Sequence, residues 1–324
     1  MKKILSFTLA IVLIAVSLLA FTSCNNKKTD DAIKVTTLNG TTGFGMAPLM
    51  KENSMGNTSN KYEFDVQTDP SIVMAGLING TIDIAALPTN AAANAYNKTN
   101  GGVQIIAINT LGVLYLVTNN IEVSSIAELE NKTIYCPAQN PAFITKYIVE
   151  RNNLSDKITI DSTTYSKPDA LREAVIAGKV DYAILPEPMV TIATNKNKNL
   201  KVELDLTSEW NTVSDGKQLV QGCVVVRKEF ANQYPGSVKE FLKEYKSSIE
   251  SLNNDPSSAA ASIKEFGIFA NDAVASKAIP KCNIKYLDGN DMKIAMSNFL
   301  EAMFSVAPAS IGNAVPNDDF YYGT

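Results

Sequence analysis

The sequence predicts an α/β protein of two similarly built lobes, each with a parallel-rich sheet, joined by two crossover strands with a cleft between them. Three observations carry this. A fourteen-residue segment recurs at a fixed offset, apolar β-branched runs alternate with amphipathic stretches, and a chain of 324 residues, 45% hydrophobic and 19% charged, holds apolar mass for about two domains of roughly 150 residues.

Ala75–Pro88 reads AGLINGTIDIAALP and Glu173–Pro186 reads EAVIAGKVDYAILP, an offset of 173 − 75 = 98. Ile78/Ile176, Gly80/Gly178, Asp83/Asp181, Ala85/Ala183, Leu87/Leu185 and Pro88/Pro186 are identical without a gap, which marks an internal repeat. The same offset pairs Pro70 with Pro168 and lays Val35–Gly43 (VTTLNGTTG) over Thr133–Pro141 (TIYCPAQNP).

Each copy starts with a β-branched strand (Lys34–Leu38; Lys132–Cys136), then a polar loop and an amphipathic helix (about 43–53; 141–152). A second strand follows (Glu63–Thr68; Thr159–Tyr165). Pro70 or Pro168 opens the next helix, where its missing N–H costs nothing, and Gly80 or Gly178 ends it in a left-handed cap. The third strand, Ile82–Leu87 or Val180–Leu185, stops at proline. Near-continuous apolar strands in this order mean a parallel sheet covered on both faces.

Val103–Asn109 and Val113–Thr118 are further strands between the copies, and Lys201–Leu206 and Leu219–Arg227 follow the second copy. The chain is expected to leave lobe 1 near Val117–Asn119 and return near Val220–Gln221, so that 33–117 plus 222–324 form lobe 1 and 118–221 lobe 2. Helical patterns at Val238–Leu252, from Asp255-Pro256-Ser257, and at Gly289–Phe304 have no repeat partner. They are expected to complete lobe 1.

Met1-Lys2-Lys3 followed by the apolar run Ile4–Phe21 reads as an export signal over 1–23. Phe21-Thr22-Ser23-Cys24 resembles a bacterial lipobox, although Phe21 departs from the usual leucine. Cys24 would then carry lipid and hold the protein on the outer face of the cytoplasmic membrane, with the polar segment 24–32 as tether. Cys136, Cys223 and Cys282 remain, widely spaced and without a CxxC. They predict small buried thiols, at most one disulfide and no metal site.

Other chemistries fall to composition. With 29 basic and 33 acidic side chains, the chain lacks the basic field that nucleic acid requires. It contains no histidine, which removes imidazole bases, Ser-His-Asp and Cys-His nucleophile pairs, and HExxH zinc sites. Gly40, Gly43 and Gly45 are spaced as neither a P-loop nor a dinucleotide fingerprint.

Gly178-Lys179-Val180-Asp181 followed by Glu187-Pro188, with the phrases INGTIDIAALPTNAAA and AGKVDYAILPEPMVTIA, resembles the solute-binding proteins of ABC importers. The nearest group is the nitrate, sulfonate, taurine and thiamine-pyrimidine-precursor class. The resemblance spans about 33–305. It implies a type II periplasmic-binding-protein fold, capture of a small polar organic solute between the lobes without cofactor or catalysis, and delivery by a monomeric receptor to a permease and its ATPase. The C-terminal stretch 305–324 looks like a subgroup feature.

Ligands of open α/β sheets sit beyond the carboxyl ends of the strands. Those ends give Asn39, Thr41, Thr42, Gly43, Ser71, Thr89 and Asn90 in lobe 1, and Gln139, Asn140 and Glu187 in lobe 2. Thr41, Thr42, Gln139 and Asn140 either bind ligand beside a helix N-terminus or cap that helix. Glu187 replaces the neutral Thr89 of the other copy and stands between prolines, which makes it either a rigid acceptor at the cleft mouth or a solvated surface acid. Phe44, Tyr165 and Trp210 either stack on a flat ligand or belong to the core. Asp83 and Asp181, at the far strand ends, read as turn or capping groups. Lys167 is the one cation among these loops, so guanidinium forks for a dianion are missing. Two competing readings share the fold: a biosynthetic enzyme, as in pyrimidine and quinone precursor synthesis, and a sensor input to a membrane receptor.

Overall fold

In the structure, a computed structural model that describes residues 26–324, the chain runs through β1 (Ile33–Leu38), a helical turn at Thr41–Phe44, α1 (Ala47–Ser54), β2 (Tyr62–Gln67), α2 (Pro70–Asn79), β3 (Ile84–Pro88), α3 (Thr89–Lys98) and β4 (Val103–Leu111). It continues through β5 (Leu114–Asn119), β6 (Thr133–Tyr135), α4 (Asn140–Arg151), β7 (Thr159–Asp161), α5 (Pro168–Ile176), β8 (Tyr182–Pro186), α6 (Met189–Lys196), β9 (Leu200–Asp205) and α7 (Leu206–Val213). The last part holds β10 (Val220–Arg227), α8 (Lys228–Gln233), α9 (Pro235–Asn254), α10 (Pro256–Glu265), α11 (Asp272–Ala278), β11 (Ile284–Leu287) and α12 (Gly289–Val306). The export signal and Cys24 lie outside the described residues. Among those described, no helix is long and apolar enough to cross a membrane.

Two sheets form, ordered β11-β4-β10-β3-β1-β2 and β7-β6-β8-β5-β9. In the first, β1 is parallel to β2 and β3, and β10 runs antiparallel between β3 and β4. The second repeats this, with β6 parallel to β7 and β8 and with β5 antiparallel between β8 and β9. In each lobe the antiparallel strand inside the sheet is the one that has just crossed from the other lobe, and in the first sheet β11 adds a second antiparallel strand at the edge.

This moves the expected boundary. Leu114–Val117, expected in lobe 1, belongs with Thr118 and Asn119 to the second sheet, and the first crossover is Gly112–Val113. An apolar run reports that a strand is buried, not which sheet buries it. A Cβ on Gly112 would stand 2.2 Å from the Thr207 hydroxyl, so only glycine fits this passage. The return passage is 214–219, and the Val113 N–H donates to the Gln221 side chain at 2.7 Å, tying the two crossings together.

Strand alternation divides the lobe 1 core. Leu38, Ala85, Leu87, Ile105, Cys223 and Val225 face α2, α3 and α12, whereas Ile33, Val35, Ile84, Ala86, Val224 and Val226 face α1 and α9–α11. Each fully buried aliphatic or aromatic side chain contributes about 1.5–3 kcal/mol, so covering both faces is what holds these strands in register. The three cysteines are buried and free.

Other expectations shift locally for identifiable reasons. The helix expected over 43–53 splits at Gly45–Met46, because Pro48 lies in the first turn of α1 and fits only there. Strand Thr159–Tyr165 stops at Asp161, whose carboxylate accepts the N–H groups of Thr163 and Thr164 at 2.9 Å. The first strands of the two copies are related by 99 residues rather than 98, since Thr36 pairs with Ala85 where Tyr135 pairs with Ala183. One residue of slip exchanges the faces of a strand, which an ungapped sequence overlay conceals. Finally, α12 does not belong to lobe 1 alone. Phe299 lies 5.7 Å from the Trp210 ring, and the Lys146 ammonium donates to the Val306 carbonyl at 2.8 Å.

At the far end of sheet 1, Asp83 does more than cap. It accepts the Lys34 N–H at 3.1 Å and pairs with the Arg227 guanidinium at 3.0 Å, whereas Asp181 is exposed.

Candidate functional site

The carboxyl end of β3 leads directly into α3, that of β6 leads into α4 through the loop Cys136–Gln139, and the last helix of the chain ends beside them. Between these segments lies a cavity of about 610 Å³ lined by Asp69–Ser71 and Met74 of α2, by Pro88, Asn90, Ala91 and Asn94 around α3, by Gln139–Pro141 and Phe143 of α4, and by Ala309 and Ser310. It lies between the lobes.

The helix starts differ in how they are satisfied. Asp69 caps α2, accepting the Ser71 N–H at 2.8 Å. That bond chiefly, with the Ser71 hydroxyl and then the Lys167 charge on the other lobe, holds its carboxyl below the usual carboxylate range. The starts of α3 and α4 have no side-chain cap, so their first N–H groups and positive dipole ends are available to an acceptor. Gln139 precedes α4 with φ 69°, a left-handed conformation rare outside glycine.

One side-chain relay joins the lobes at this cavity. The Thr89 hydroxyl donates to the Val220 carbonyl at 3.1 Å, and the Asn140 amide N–H donates to Thr89 Oγ at 3.2 Å. A carbonyl can only accept, so the direction of the relay is fixed and Asn140 Oδ1 is left as a buried acceptor without a partner. Asn94 Oδ1 and Ser310 Oγ are also buried and unpaired. Three such groups, none with a protein partner, concentrate hydrogen-bonding capacity on the lining of one cavity.

The sequence candidates divide around this cavity. Ser71, Asn90, Gln139 and Asn140 line it, and Thr89 sits one bond behind. The loop Asn39–Phe44 does not line it. Thr41 opens the short helical turn, Thr42 gives its carbonyl to Asn109, a Cβ on Gly43 would meet the Leu38 carbonyl at 2.1 Å, and Phe44 is fully buried edge-on to Phe269. Asn39 donates its N–H to Gln67, closing the loop onto β2.

Glu187 is neither a solvated acid nor a cavity wall. It is 1% exposed and accepts the backbone N–H and hydroxyl of Thr191 at 3.1 and 2.9 Å, holding the first turn of α6. Burial pushes its carboxyl above the ordinary range despite those bonds. Tyr165 packs on Tyr135 at 5.9 Å. Trp210 is fully buried between Tyr147 and Phe299, with its indole N–H donating to the Lys217 carbonyl at 2.8 Å. These are core contacts, formed because an indole with its single N–H satisfied is better placed in apolar surroundings than in a wet cleft.

Met74, Asn94, Phe143 and Ser310 were not among the sequence candidates. Asn94 follows Asn90 by four residues and Phe143 follows Asn140 by three, so helical spacing from a recognised loop residue was the available signal. Ser310 had none. It reaches the cavity because Asn97 binds the carbonyls of Ile311 and Ala314 at 2.7 and 2.8 Å and Tyr322 donates its N–H to Ile105, strapping the C-terminal segment across α3 and β4.

Among the described residues, no group of three or more Cys, Asp or Glu side chains is placed to hold a metal. The family model described as menaquinone biosynthesis matches residues 44–279. No curated protein matches the chain. The solved structure of an ABC transporter from Parabacteroides distasonis is 27% identical, with a TM-score of 0.76, over 90% of this chain and 99% of that one. The periplasmic aliphatic sulphonate binding protein SsuA of Escherichia coli is 12% identical, TM-score 0.71, over 90% and 91%. The ligand-binding component of an ABC-type import system from Staphylococcus aureus, with zinc bound, is 15% identical, TM-score 0.66, over 90% and 96%. The latter two likenesses are of fold, and that fold is the periplasmic-binding-protein type found in ABC-type solute-binding proteins.

Proposed function

The chain belongs to the family described as menaquinone biosynthesis, and from its fold and its interlobe cavity we propose that this member is an extracytoplasmic substrate-binding lipoprotein of an ABC importer, holding a small polar organic solute between its lobes. The observation that supports this most is the interlobe cavity with its unpaired Asn94, Asn140 and Ser310 atoms. Its walls are amides, hydroxyls, prolines and apolar side chains, the means by which binding sites fix orientation without reacting. The two crossings beside it are the natural pivots for a hinge that closes on ligand and presents a joined surface to a permease. The lipid on Cys24 would keep the receptor near that permease.

Thermal unfolding across a library of sulfonates, pyrimidines, vitamins and amino acids tests the reading. A true ligand at a hundredfold excess over its Kd adds about 2.7 kcal/mol, a clear rise in Tm. A wide library with no stabilising member would sink the proposal. Membrane fractionation of wild type and Cys24→Ala tests the anchor, with release of the variant as the expected result and equal retention as the refuting one.

The family description favours a second reading, a biosynthetic enzyme on the same fold. Sustained conversion of a bound compound, followed by chromatography, would establish it in place of the first.

A further inference from the structure

From the relay at Asn140 we infer that the cleft selects ligands that bring N–H donors, neutral or cationic, and discriminates against solutes whose polar end is only an anion. This rests on the binding-protein reading and narrows its ligand class. The Val220 carbonyl orders the Thr89 hydroxyl, which orders the Asn140 amide, so turning that amide to aim its NH2 into the cavity would break its hydrogen bond to Thr89 Oγ. Asn140 is 5% exposed and its Oδ1 has no partner. Across the cavity stands the Asp69 carboxylate, held ionised by its cap bond to Ser71. No lysine or arginine lines the cavity, so an anion drawn toward the uncapped helix starts would still meet the Asp69 carboxylate, on which the Lys167 charge acts from the other lobe, and a fixed acceptor.

The uncapped starts of α3 and α4 supply the complementary half. Their N–H groups suit a carbonyl or ring nitrogen carried next to the ligand's donor, while Met74, Phe143, Pro88 and Pro141 offer flat apolar contact. The pattern of donor beside acceptor on an apolar body is that of a small amide, amidine or N-heterocycle. Asn94 and Ser310 can present either polarity and so leave that pattern free.

The test uses one ring with four headgroups: benzamide, benzamidine, benzoate and benzenesulfonate, titrated into the purified chain by calorimetry. Benzamide or benzamidine is expected to bind at least tenfold tighter than either anion, as losing a buried hydrogen-bond partner typically costs such a factor. Anions that bind as tightly or tighter would overturn the inference. Asn140→Leu is the second measurement, with binding of the donor ligand expected to fall tenfold or more while the ligand-free melting profile stays cooperative. If that variant misfolds, Asp69→Asn, which keeps a capping side chain, is expected to weaken benzamidine relative to benzamide, and an unchanged ratio would count against the inference. Should none of the four bind while the wider library yields a ligand without N–H groups, this inference fails and the receptor reading survives. If the whole library fails, both fall.

Discussion

The two lobes are built on one plan and used unequally. Both have a βαβαβ unit whose sheet accepts, as its antiparallel strand, the segment that has just crossed over. Lobe 1 adds β11 and the helices α8–α11, and its sheet is covered on both faces. Lobe 2 carries three-residue strands at β6 and β7 and depends on α7 and α12 for part of its core. The cavity follows the same imbalance. Lobe 1 gives two helix starts and, through the strap, Ser310, whereas lobe 2 gives the start of α4. Repetition therefore builds the scaffold, and the departures from repetition shape the cavity.

The largest expected effect comes from the one place where lobe 2 borrows its core. Trp210→Ala removes a fully buried indole between Tyr147 and Phe299 and should cost about 3–5 kcal/mol in urea unfolding. A loss under about 1 kcal/mol would show that lobe 2 does not rely on that junction.

A matched pair sharpens the comparison further. Asp83 and Asp181 occupy equivalent repeat positions, but only Asp83 holds Arg227 and the Lys34 N–H. Asp83→Asn is expected to cost about 1.5–3 kcal/mol, the range for hydrogen bonds to charged groups, while Asp181→Asn stays within about 0.5 kcal/mol. Equal effects would mean that the two lobes are anchored alike.

The smallest effect, and the most specific, concerns Glu187, which replaces the neutral Thr89 of the other copy. Burial raises the Glu187 carboxyl above its ordinary 4.5. Between that value and the higher folded one, the native state retains a proton that the unfolded chain has released, so stability falls as pH rises through the window. Glu187→Gln should thus melt above wild type at neutral pH, and the difference should shrink toward zero below the unfolded value. An offset independent of pH would show that the carboxyl charge carries no such cost.

Much of the scaffold was legible because its signals are local. Pro70 and Pro168 open helices, Gly80 (φ 79°) and Gly178 (φ 67°) take the left-handed conformation expected at their ends, and valine-rich runs become strands. The cavity lining was legible where a loop could be read from its strand, as at Ser71, Asn90, Gln139 and Asn140. It failed for Phe44, Tyr165 and Trp210, because an aromatic near a strand end looks the same from the sequence whether it faces core or cleft. Glu187 failed for a related reason, since its partner Thr191 lies one helical turn onward and draws it inward.

The sequence by itself determined that two βαβαβ units would form and which strand ends would face one another, since hydrogen-bonding geometry and side-chain periodicity act over a few residues. Tertiary structure decided which sheet receives Leu114–Asn119, the one-residue slip that sets Asn140 at the start of α4, and the return of Ser310 to the cavity. Each of these depends on pairings between residues far apart in the chain, where the competing arrangements have the same local pattern and differ only in what they bury and which polar groups they leave unpaired.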